Sequence, residues 1–263
     1  MPITLNELTE AIDPGKTALV LGAGASIPSG APSGATLAEH LWRTVAKTEP
    51  QSSDLIETTS ILSRKYGRKA VVDAVIDKLK PLKPTGGLLG IPLVGWKAFY
   101  GTNFDTLLEQ AFKASKIPLA VYRSNFDFSN KESSIGVKYF KIHGCITQDE
   151  TRGDKASMIL TEDDYQNFEN YRQTLFGSLN SALLTGDVLV VGQSLRDPHL
   201  VALIRKILDA KQQGAPGTLY ALIFDQDDLR APLLVDRGVR IAFGGIDDLI
   251  HAHGEGRRRV VLH

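Results

Sequence analysis

The sequence predicts an α/β fold in which a mostly parallel, doubly wound sheet carries helices on both faces. Short apolar runs recur along the 263 residues, amphipathic segments with helical spacing separate them, and glycine- or asparagine-containing turns follow several of them. Strands that alternate with helices build parallel sheets, because each crossover returns the chain to the same edge. We therefore expect a single domain over residues 1–263.

The first predicted unit is a strand, a glycine turn and a helix. The run Thr17–Leu21 is short and apolar, and it precedes the sequence GAGAS at 22–26. This order predicts a buried parallel strand that enters a tight turn. Apolar residues at helical spacing follow the turn, at Leu37, Leu41, Trp42 and Val45.

A small helical insertion is predicted next. Between about 52 and 80 the apolar pattern fits two helices interrupted at Gly67, and Pro81, Pro84 and the glycine pair at 86–87 then break the chain. We expect these helices to form a lobe at about 50–90, set on the main sheet.

The remaining elements continue the alternation. A helix is predicted at 106–112, a capped helix start at 161–164, and a further helix after Asp197 with Pro198 in its first turn. Because ligands bind at the carboxyl edge of such Rossmann-like sheets, residues that follow strands are the candidates for a site. Further strands are predicted at 97–100, 137–142, 188–191, 219–224 and, more weakly patterned, 239–243.

Composition excludes several classes of protein. Thirty basic and thirty acidic residues cancel, so no broad positive field would hold nucleic acid. Cys145 is the sole cysteine, which rules out an internal disulfide and a zinc module built from several cysteines. No signal peptide and no apolar run of the ~20 residues that span a bilayer are recognisable. We expect a cytoplasmic protein without membrane or direct nucleic-acid partners.

Four segments place reactive groups after predicted strands. The glycines of GAGAS would let the backbone approach a pyrophosphate, with helix-start amides behind it, although a plain tight turn has the same pattern. TNFD at 102–105 supplies an asparagine and an aspartate, either of which is also suited to cap a helix. KIHG at 141–144 aims an imidazole at the same edge, as a general base or a structural residue. VVGQSLRD at 190–197 ends in Asp197, an equally good helix cap or ligand contact.

These segments, GAGAS, TNFD, KIHG and VVGQS, resemble in their order and spacing the sirtuin superfamily, over residues 17 to about 225. Sirtuin deacylases usually carry a zinc module with paired CxxC motifs, which one cysteine excludes. They also carry a proline-aspartate-phenylalanine-arginine run where this chain has PSGAPSG at 28–34. The chain is therefore more similar to the zinc-free sirtuin-like domains of prokaryotic antiphage systems, which hydrolyse NAD and deplete it in infected cells.

The resemblance implies an NAD nucleosidase that uses NAD as substrate, needs no metal and releases nicotinamide and ADP-ribose. It implies Asn103 and His143 as the essential pair, with Asp105 beside the carboxamide. It also implies a homo-oligomer and a partner ATPase or sensor protein. The residues expected to bind NAD are Gly22, Ala23, Gly24, Ser26, Thr102, Gly192, Ser194 and Asp197.

Two other functions fit the same residues. NAD-dependent protein deacylation or ADP-ribosyl transfer shares the first bond cleavage and differs in the nucleophile. A non-catalytic module that senses NAD or ADP-ribose would bind without turnover. The sequence does not distinguish NAD from NADP.

Overall fold

The computed structural model describes residues 1–129, 135–147, 158–167, 169–193, 202, 204–205, 208–210, 213–225 and 231–261. In this part of the chain seven strands form one sheet, and every strand pair is parallel. The strands are β1 (Ala18–Leu21), β2 (Ala98–Gly101), β3 (Leu119–Tyr122), β4 (Val137–Lys141), β5 (Val188–Val191), β6 (Leu219–Ile223) and β7 (Arg240–Phe243).

The strand order is β3-β4-β2-β1-β5-β6-β7. On one side of β1 the chain forms β2, then the edge strand β3, and then β4 between these two. It then crosses to the other side of β1 at β5. The direction of winding therefore changes between β1 and β5, which is the topological switch point where such sheets open a crevice. The predicted doubly wound, parallel α/β fold is confirmed.

Helices cover both faces of the sheet. The α-helices among the described residues are α1 (Leu5–Ala11), α2 (Gly34–Leu41), α3 (Leu55–Tyr66), α4 (Arg68–Leu79), α5 (Gly87–Val94), α6 (Leu107–Ser115), α7 (Glu162–Asn167), α8 (Glu169–Thr185), α9 (Ala231–Asp236) and α10 (Ile246–Val261). A π-helical segment, Trp42–Ala46, continues α2, so the helix predicted around Leu37 and Leu41 is confirmed.

Two hydrophobic clusters lie on opposite faces of the sheet, because alternate strand residues point in opposite directions. In β1, Leu19 and Leu21 pack in a cluster with side chains of α1, α5, α6 and α10. Ala18 and Val20 pack in the other cluster, with side chains of α8 and α9. Burial on both sides explains why the strands are continuously apolar.

A third cluster attaches α2, α3 and α4 beside the sheet edge. Leu62 and Val75, from α3 and α4, pack there with Cys145, which follows β4, and with Met158. The two helices predicted between about 52 and 80 are confirmed, and they meet at Gly67 as expected. That they form a lobe inserted at about 50–90 stays a prediction.

The predicted break after Pro84 is the start of α5. Its sequence contains Pro92 and glycines, which disfavour a helix, so packing must override local preference. A Cβ on Gly87 would lie 2.6 Å from the Ile246 carbonyl oxygen, and one on Gly90 would lie 2.5 Å from Ile250. The glycines therefore allow close contact with α10 rather than marking a loop.

Other predictions have mixed outcomes. The capped helix start is confirmed: Thr161 N donates to Asp164 Oδ2 at 2.9 Å, and Asp164 N donates to Thr161 Oγ1 at 3.3 Å. The strand β3 was not predicted, because its four residues show no clear alternation of apolar and polar side chains. The helix predicted after Asp197 lies largely outside the described residues.

Candidate active site

The register of the sheet brings four strand ends to one level. Leu21 is paired with Gly101 and with Val191, and Gly101 is paired with Lys141. The segments that follow β1, β2, β4 and β5 therefore leave the sheet side by side, at its carboxyl edge and around the switch point. These are the four segments that the sequence analysis selected.

A cavity of about 370 Å³ opens between these segments. Its volume falls within the ~300–1,000 Å³ typical of small-molecule sites. Gly22 is not among the lining residues, and Ser194 and Asp197 lie outside the described residues. The predicted site residues that line the cavity are Ala23, Gly24, Ser26, Thr102, Asn103, Asp105, His143 and Gly192.

Several lining residues were not anticipated. Phe104 and Gln193 lie inside the motifs TNFD and VVGQS, so their positions after strands were a usable sign. Asp225 directly follows the strand predicted at 219–224, so its position was a usable sign as well. Tyr165 follows the capped helix start, and no local pattern marks it. Aliphatic side chains close another side of the cavity, at Leu37, Leu55 and Leu79.

A larger hollow of about 770 Å³ lies on the far side of α2 and is lined by residues that include His40, Tyr66 and Asp77. None of the described residues of the four strand-end segments lines it. Volume alone therefore does not identify the site, whereas the convergence of strand ends does.

The glycine turn after β1 is shaped by the turn after β5. Gly24 N donates to the Gly192 carbonyl oxygen at 2.8 Å, and Gly22 N donates to that of Val191 at 2.9 Å. A Cβ on Gly24 would lie 2.7 Å from the Cα of Gly192, which itself has a φ of +67°. The packing of these two turns therefore requires glycine on both sides.

The amides of the next helix start, expected to lie near a pyrophosphate, are not adjacent to this turn. Two short 3-10 helices, Ala23–Ala25 and Ile27–Ser29, come first, and α2 begins only at Gly34. The amides of Ala25 and Ser26 donate to backbone carbonyls within the turn. An anion would therefore gain from the close approach of the backbone rather than from a helix dipole.

Asn103 is anchored by its amide nitrogen. Nδ2 donates to the Gly22 carbonyl oxygen at 2.9 Å and to Ser26 Oγ at 3.0 Å. A carbonyl oxygen can only accept, so the orientation of the amide is determined by this contact. The Oδ1 atom is the acceptor that Asn103 can present to a water or a hydroxyl group.

Asp105 lies beside the N-cap of α6, which is Thr106 and makes no side-chain cap hydrogen bond. The Oδ1 atom of Asp105 accepts from Leu107 N at 2.9 Å, at the start of α6, and the residue is 6% exposed. Burial raises the pKa of the Asp105 carboxyl, although Lys141 and hydrogen bonds from Leu107 and Ser26 oppose the shift. Asp105 therefore supports the first turn of α6 and also lines the cavity beside Asn103.

His143 lies two residues beyond β4 and is only 4% exposed. Tyr165 packs edge-on against the imidazole at 5.4 Å between ring centroids, and its hydroxyl lies 3.5 Å from Nδ1. The ring of Phe104 lies on another side, at 6.4 Å. The two aromatic rings therefore limit the orientations open to the imidazole.

Helices α3 and α4 hold Tyr165 in place. Arg68 forms an ion pair with Asp164 at 2.7 Å and also donates to the Met158 carbonyl oxygen at 2.7 Å. Thr59 Oγ1 donates to the Leu160 carbonyl oxygen at 2.6 Å. The helices predicted as an insertion thus position one wall of the cavity.

The turn after β5 contacts the turn after β2 through Gln193. Its Nε2 donates to Thr102 Oγ1 at 3.0 Å and to the Leu21 carbonyl oxygen at 3.1 Å. Three strand ends, those of β1, β2 and β5, are therefore tied by one amide group.

The charge of the described lining is negative. It contains the carboxyl groups of Asp105 and Asp225 and no lysine or arginine side chain. Among the described residues, no group of three or more histidine, cysteine, aspartate or glutamate side chains is arranged to hold a metal ion. None of the described helices combines the length and apolarity needed to cross a membrane.

A family model and two relatives of known name are similar to this chain. A family model described as a SIR2-like domain matches residues 97–242, more than half of the chain. A protein named NAD(+) hydrolase ThsA, from Enterococcus faecium, is 23% identical over 212 residues, covering 78% of this chain and 42% of that protein. Its namesake from Acinetobacter baumannii is 24% identical over 208 residues, with the same coverage. The chain thus spans less than half the length of these relatives.

Solved structures show the same fold. A Sir2 homologue mutant in complex with ADP-ribose aligns with a TM-score of 0.58 and 15% identity, covering 98% of each chain. A structure described as the basis for sirtuin substrate affinity aligns with a TM-score of 0.51 and 12% identity, covering 98% of this chain and 97% of the other. At these identities the likeness concerns the fold alone.

The contact between the two glycine turns can be tested by Gly192→Ala. The new Cβ would lie 2.2 Å from Ala25 N, and an L-residue at positive φ costs about 1–2 kcal/mol by itself. We expect a lower melting temperature by thermal unfolding. Gly177→Ala in α8 is the control: a Cβ there has open space, and helix propensity predicts a gain of about 1 kcal/mol. Equal melting temperatures for Gly192→Ala and the parent would contradict the contact.

The two properties of Asp105 can be separated by Asp105→Asn and Asp105→Ala. Asparagine keeps an oxygen for Leu107 N, whereas alanine loses this hydrogen bond, at a cost of about 1 kcal/mol. Because the folded-state pKa of Asp105 is raised, the parent loses stability as pH rises from the ordinary aspartate pKa through the raised one. Asp105→Asn should avoid that loss, so its advantage should grow with pH in denaturant unfolding. An advantage that does not change with pH would argue against a buried charge.

Proposed function

This chain belongs to the SIR2-like domain family, and we propose that it hydrolyses NAD at the bond between nicotinamide and ribose, releasing nicotinamide and ADP-ribose. The observation that carries the proposal is the convergence of Asn103 and His143 on one cavity at the switch point of the sheet. The relatives named NAD(+) hydrolase support this activity. We classify the reaction as that of an NAD nucleosidase.

We infer the placement of the substrate from the order of the segments around the cavity. The nicotinamide ribose would lie between Asn103 and His143, and Asp105 would lie nearest the carboxamide. The adenosine end would point toward the turn after β5. The pyrophosphate and the adenosine would contact residues drawn from Gly22, Ala23, Gly24, Ser26, Thr102, Gly192, Ser194 and Asp197.

The electrostatics of the cavity favour the cleavage. As the glycosidic bond lengthens, positive charge develops on the ribose, and preorganised negative groups stabilise it without reorganisation. The described lining supplies the carboxyl groups of Asp105 and Asp225 and the amide oxygen of Asn103, and no lysine or arginine opposes them there. The electron pair of the broken bond neutralises the nicotinamide nitrogen, which leaves as nicotinamide.

Water completes the reaction. Asn103 would position the water through Oδ1, since its Nδ2 is engaged with Gly22 and Ser26. The water oxygen forms the new bond to the ribose carbon, and His143 accepts its proton, directly or through a ribose hydroxyl. The balance is NAD⁺ and water to nicotinamide, ADP-ribose and one proton. General-base assistance of this kind typically contributes ~10²- to 10⁴-fold.

The surroundings of His143 favour water over a protein substrate. Tyr165 packs against the imidazole, and the segment before it is fastened to α3 and α4 by Thr59 and Arg68. This fixed wall leaves less room beside the imidazole for an acyl-lysine side chain than for a water molecule. Protein deacylation and ADP-ribosyl transfer therefore remain secondary, and an NAD or ADP-ribose sensor would differ by binding without turnover.

We further propose a biological role in prokaryotic antiphage defence through NAD depletion, which rests on the motif resemblance described in the sequence analysis. Assembly as a homo-oligomer, a partner ATPase or sensor protein, and a cytoplasmic location are predictions on the same basis.

Substitution of the essential pair tests the proposed function. Purified Asn103→Ala and His143→Ala should each lower kcat for NAD hydrolysis by about 10²- to 10⁴-fold, because the water loses its positioning group or its base. Nicotinamide and ADP-ribose are quantified by chromatography, with circular dichroism to confirm folding. Hydrolysis at the parental rate in folded His143→Ala would remove the imidazole from the mechanism. Addition of an acetyl-lysine peptide should not raise NAD turnover, whereas a dependence on the peptide would favour deacylation.

A second prediction concerns the hydroxyl group of Tyr165. The hydrogen bond at one imidazole nitrogen selects the tautomer and thus the properties of the other. Tyr165→Phe should lower kcat about three- to tenfold, because a neutral hydrogen bond contributes about 0.5–1.5 kcal/mol. Tyr66→Phe, in the other hollow, is the matched control and should keep the parental kcat. An unchanged kcat in Tyr165→Phe would show that the hydroxyl does not orient His143.

A further inference from the structure

Lys141 is a charged residue with no exposed surface, at the last position of β4. Its Nζ donates to Glu109 Oε1 on α6 at 2.9 Å and also to the main-chain oxygen of Asp105. The same nitrogen lies 5.4 Å from the centre of the Tyr139 ring. Lys141 is not among the residues that line the cavity, so it would act on the site through its neighbours.

The two residues joined by this contact lie close in sequence to Asn103 and His143. Asp105 follows Asn103 by two residues, and Lys141 precedes His143 by two residues. β2 and β4 are direct neighbours, with Gly101 paired to Lys141. The contact between Lys141 and the Asp105 carbonyl oxygen therefore connects the two strand ends that carry the proposed essential pair, one step behind the cavity.

Glu109 stabilises the positive charge of Lys141, whereas the contact with the turn after β2 is made by Lys141 itself. Burial works against the protonated form of Lys141, whereas Glu109 and weaker contributions from Tyr139, Cys145 and Asp105 keep its pKa above the usual value. Well-packed apolar residues often replace a buried ion pair without loss of stability, so stability alone does not explain a lysine here. The distinctive property of the ammonium group is that one nitrogen can donate to Glu109 and to Asp105 together.

We propose that Lys141 is a positioning residue that sets the distance between Asn103 and His143 through its hydrogen bond to the Asp105 carbonyl oxygen. This inference rests on the proposed function of the same site. Backbone hydrogen bonds also hold the turn of Asn103, from Thr102 N to the Leu21 carbonyl oxygen at 3.2 Å and from Ile146 N to the Phe104 carbonyl oxygen at 2.9 Å. Lys141 adds the contact at Asp105, next to the start of α6. Without the last contact, the turn can shift relative to the imidazole.

Three variants of the full chain separate positioning from stability. Glu109→Gln leaves a buried lysine without its carboxylate, so the melting temperature should fall while the bond to Asp105 persists and kcat stays within about threefold of the parent. Lys141→Met leaves the Glu109 carboxylate without its positive partner and removes the hydrogen bond to the Asp105 carbonyl oxygen. Lys141→Met with Glu109→Gln removes both charges, so stability should recover relative to Lys141→Met.

The double variant is decisive. Its kcat should remain about 10²-fold below the parent, since misplacement of reacting groups by about 1 Å can cost that much, while KM changes little. Recovery of kcat together with the melting temperature would overturn the proposal, because Lys141 would then be merely structural. A 10²-fold loss of kcat in Glu109→Gln would also overturn it.

Hydrogen exchange measured by mass spectrometry separates this proposal from the proposed function. Amides of the peptide that spans residues 102–106 should exchange faster in the double variant than in Glu109→Gln, whether or not the parent turns over NAD. If the parent does not cleave NAD, the proposed function fails. The exchange rates then still show whether Lys141 holds the turn through its hydrogen bond to the Asp105 carbonyl oxygen. Equal exchange in the two variants would show that Lys141 does not hold the turn.

Discussion

The backbones of Gly24 and Gly192 meet without room for a Cβ on either residue, and the architecture of the candidate site depends on this contact. It joins the turns after β1 and β5, the two strands that flank the switch point. The Gly22 carbonyl oxygen then becomes the acceptor for Asn103, and Gln193 reaches across to Thr102. The glycines therefore shape the frame to which the polar side chains are fastened.

The polar groups of the site are mostly held by backbone partners. Asn103 donates to a carbonyl oxygen, Asp105 accepts from the first turn of α6, and Lys141 donates to the carbonyl oxygen of Asp105. Groups fixed in this way need little rearrangement when charge develops on a substrate, which is the basis of electrostatic preorganisation. The third hydrophobic cluster also helps to fix the site, because its helices α3 and α4 support Tyr165 beside His143.

Local sequence was sufficient where local physics determines structure. Continuous apolar runs marked β1 and β5, and glycine, asparagine and histidine after strands marked the site, because parallel strands end at one edge. Local sequence misled where distant contacts decide. The glycines and proline of α5 resemble a loop until Ile246 and Ile250 of α10 are placed against them. Two short 3-10 helices also separate GAGAS from the start of α2 at Gly34, and no local pattern marks them.

Other features depend on residues far apart in the chain. Tyr165 meets His143 across 22 positions and Lys141 meets Glu109 across 32, so neither spacing leaves a periodic pattern. Lys141 is the first residue of the motif KIHG, but no feature of the neighbouring sequence predicts that its side chain is buried. Asp225 reaches the cavity only because β6 lies beside β5.

The decisive measurement is the mole ratio of nicotinamide to free ADP-ribose, formed from NAD by the purified full chain without an added acceptor. Hydrolysis should give one ADP-ribose for every nicotinamide, with both products rising together in time. Nicotinamide without an equal amount of ADP-ribose would show transfer to another nucleophile. NAD that remains intact in the presence of a folded, NAD-binding protein would contradict hydrolysis and favour a sensor.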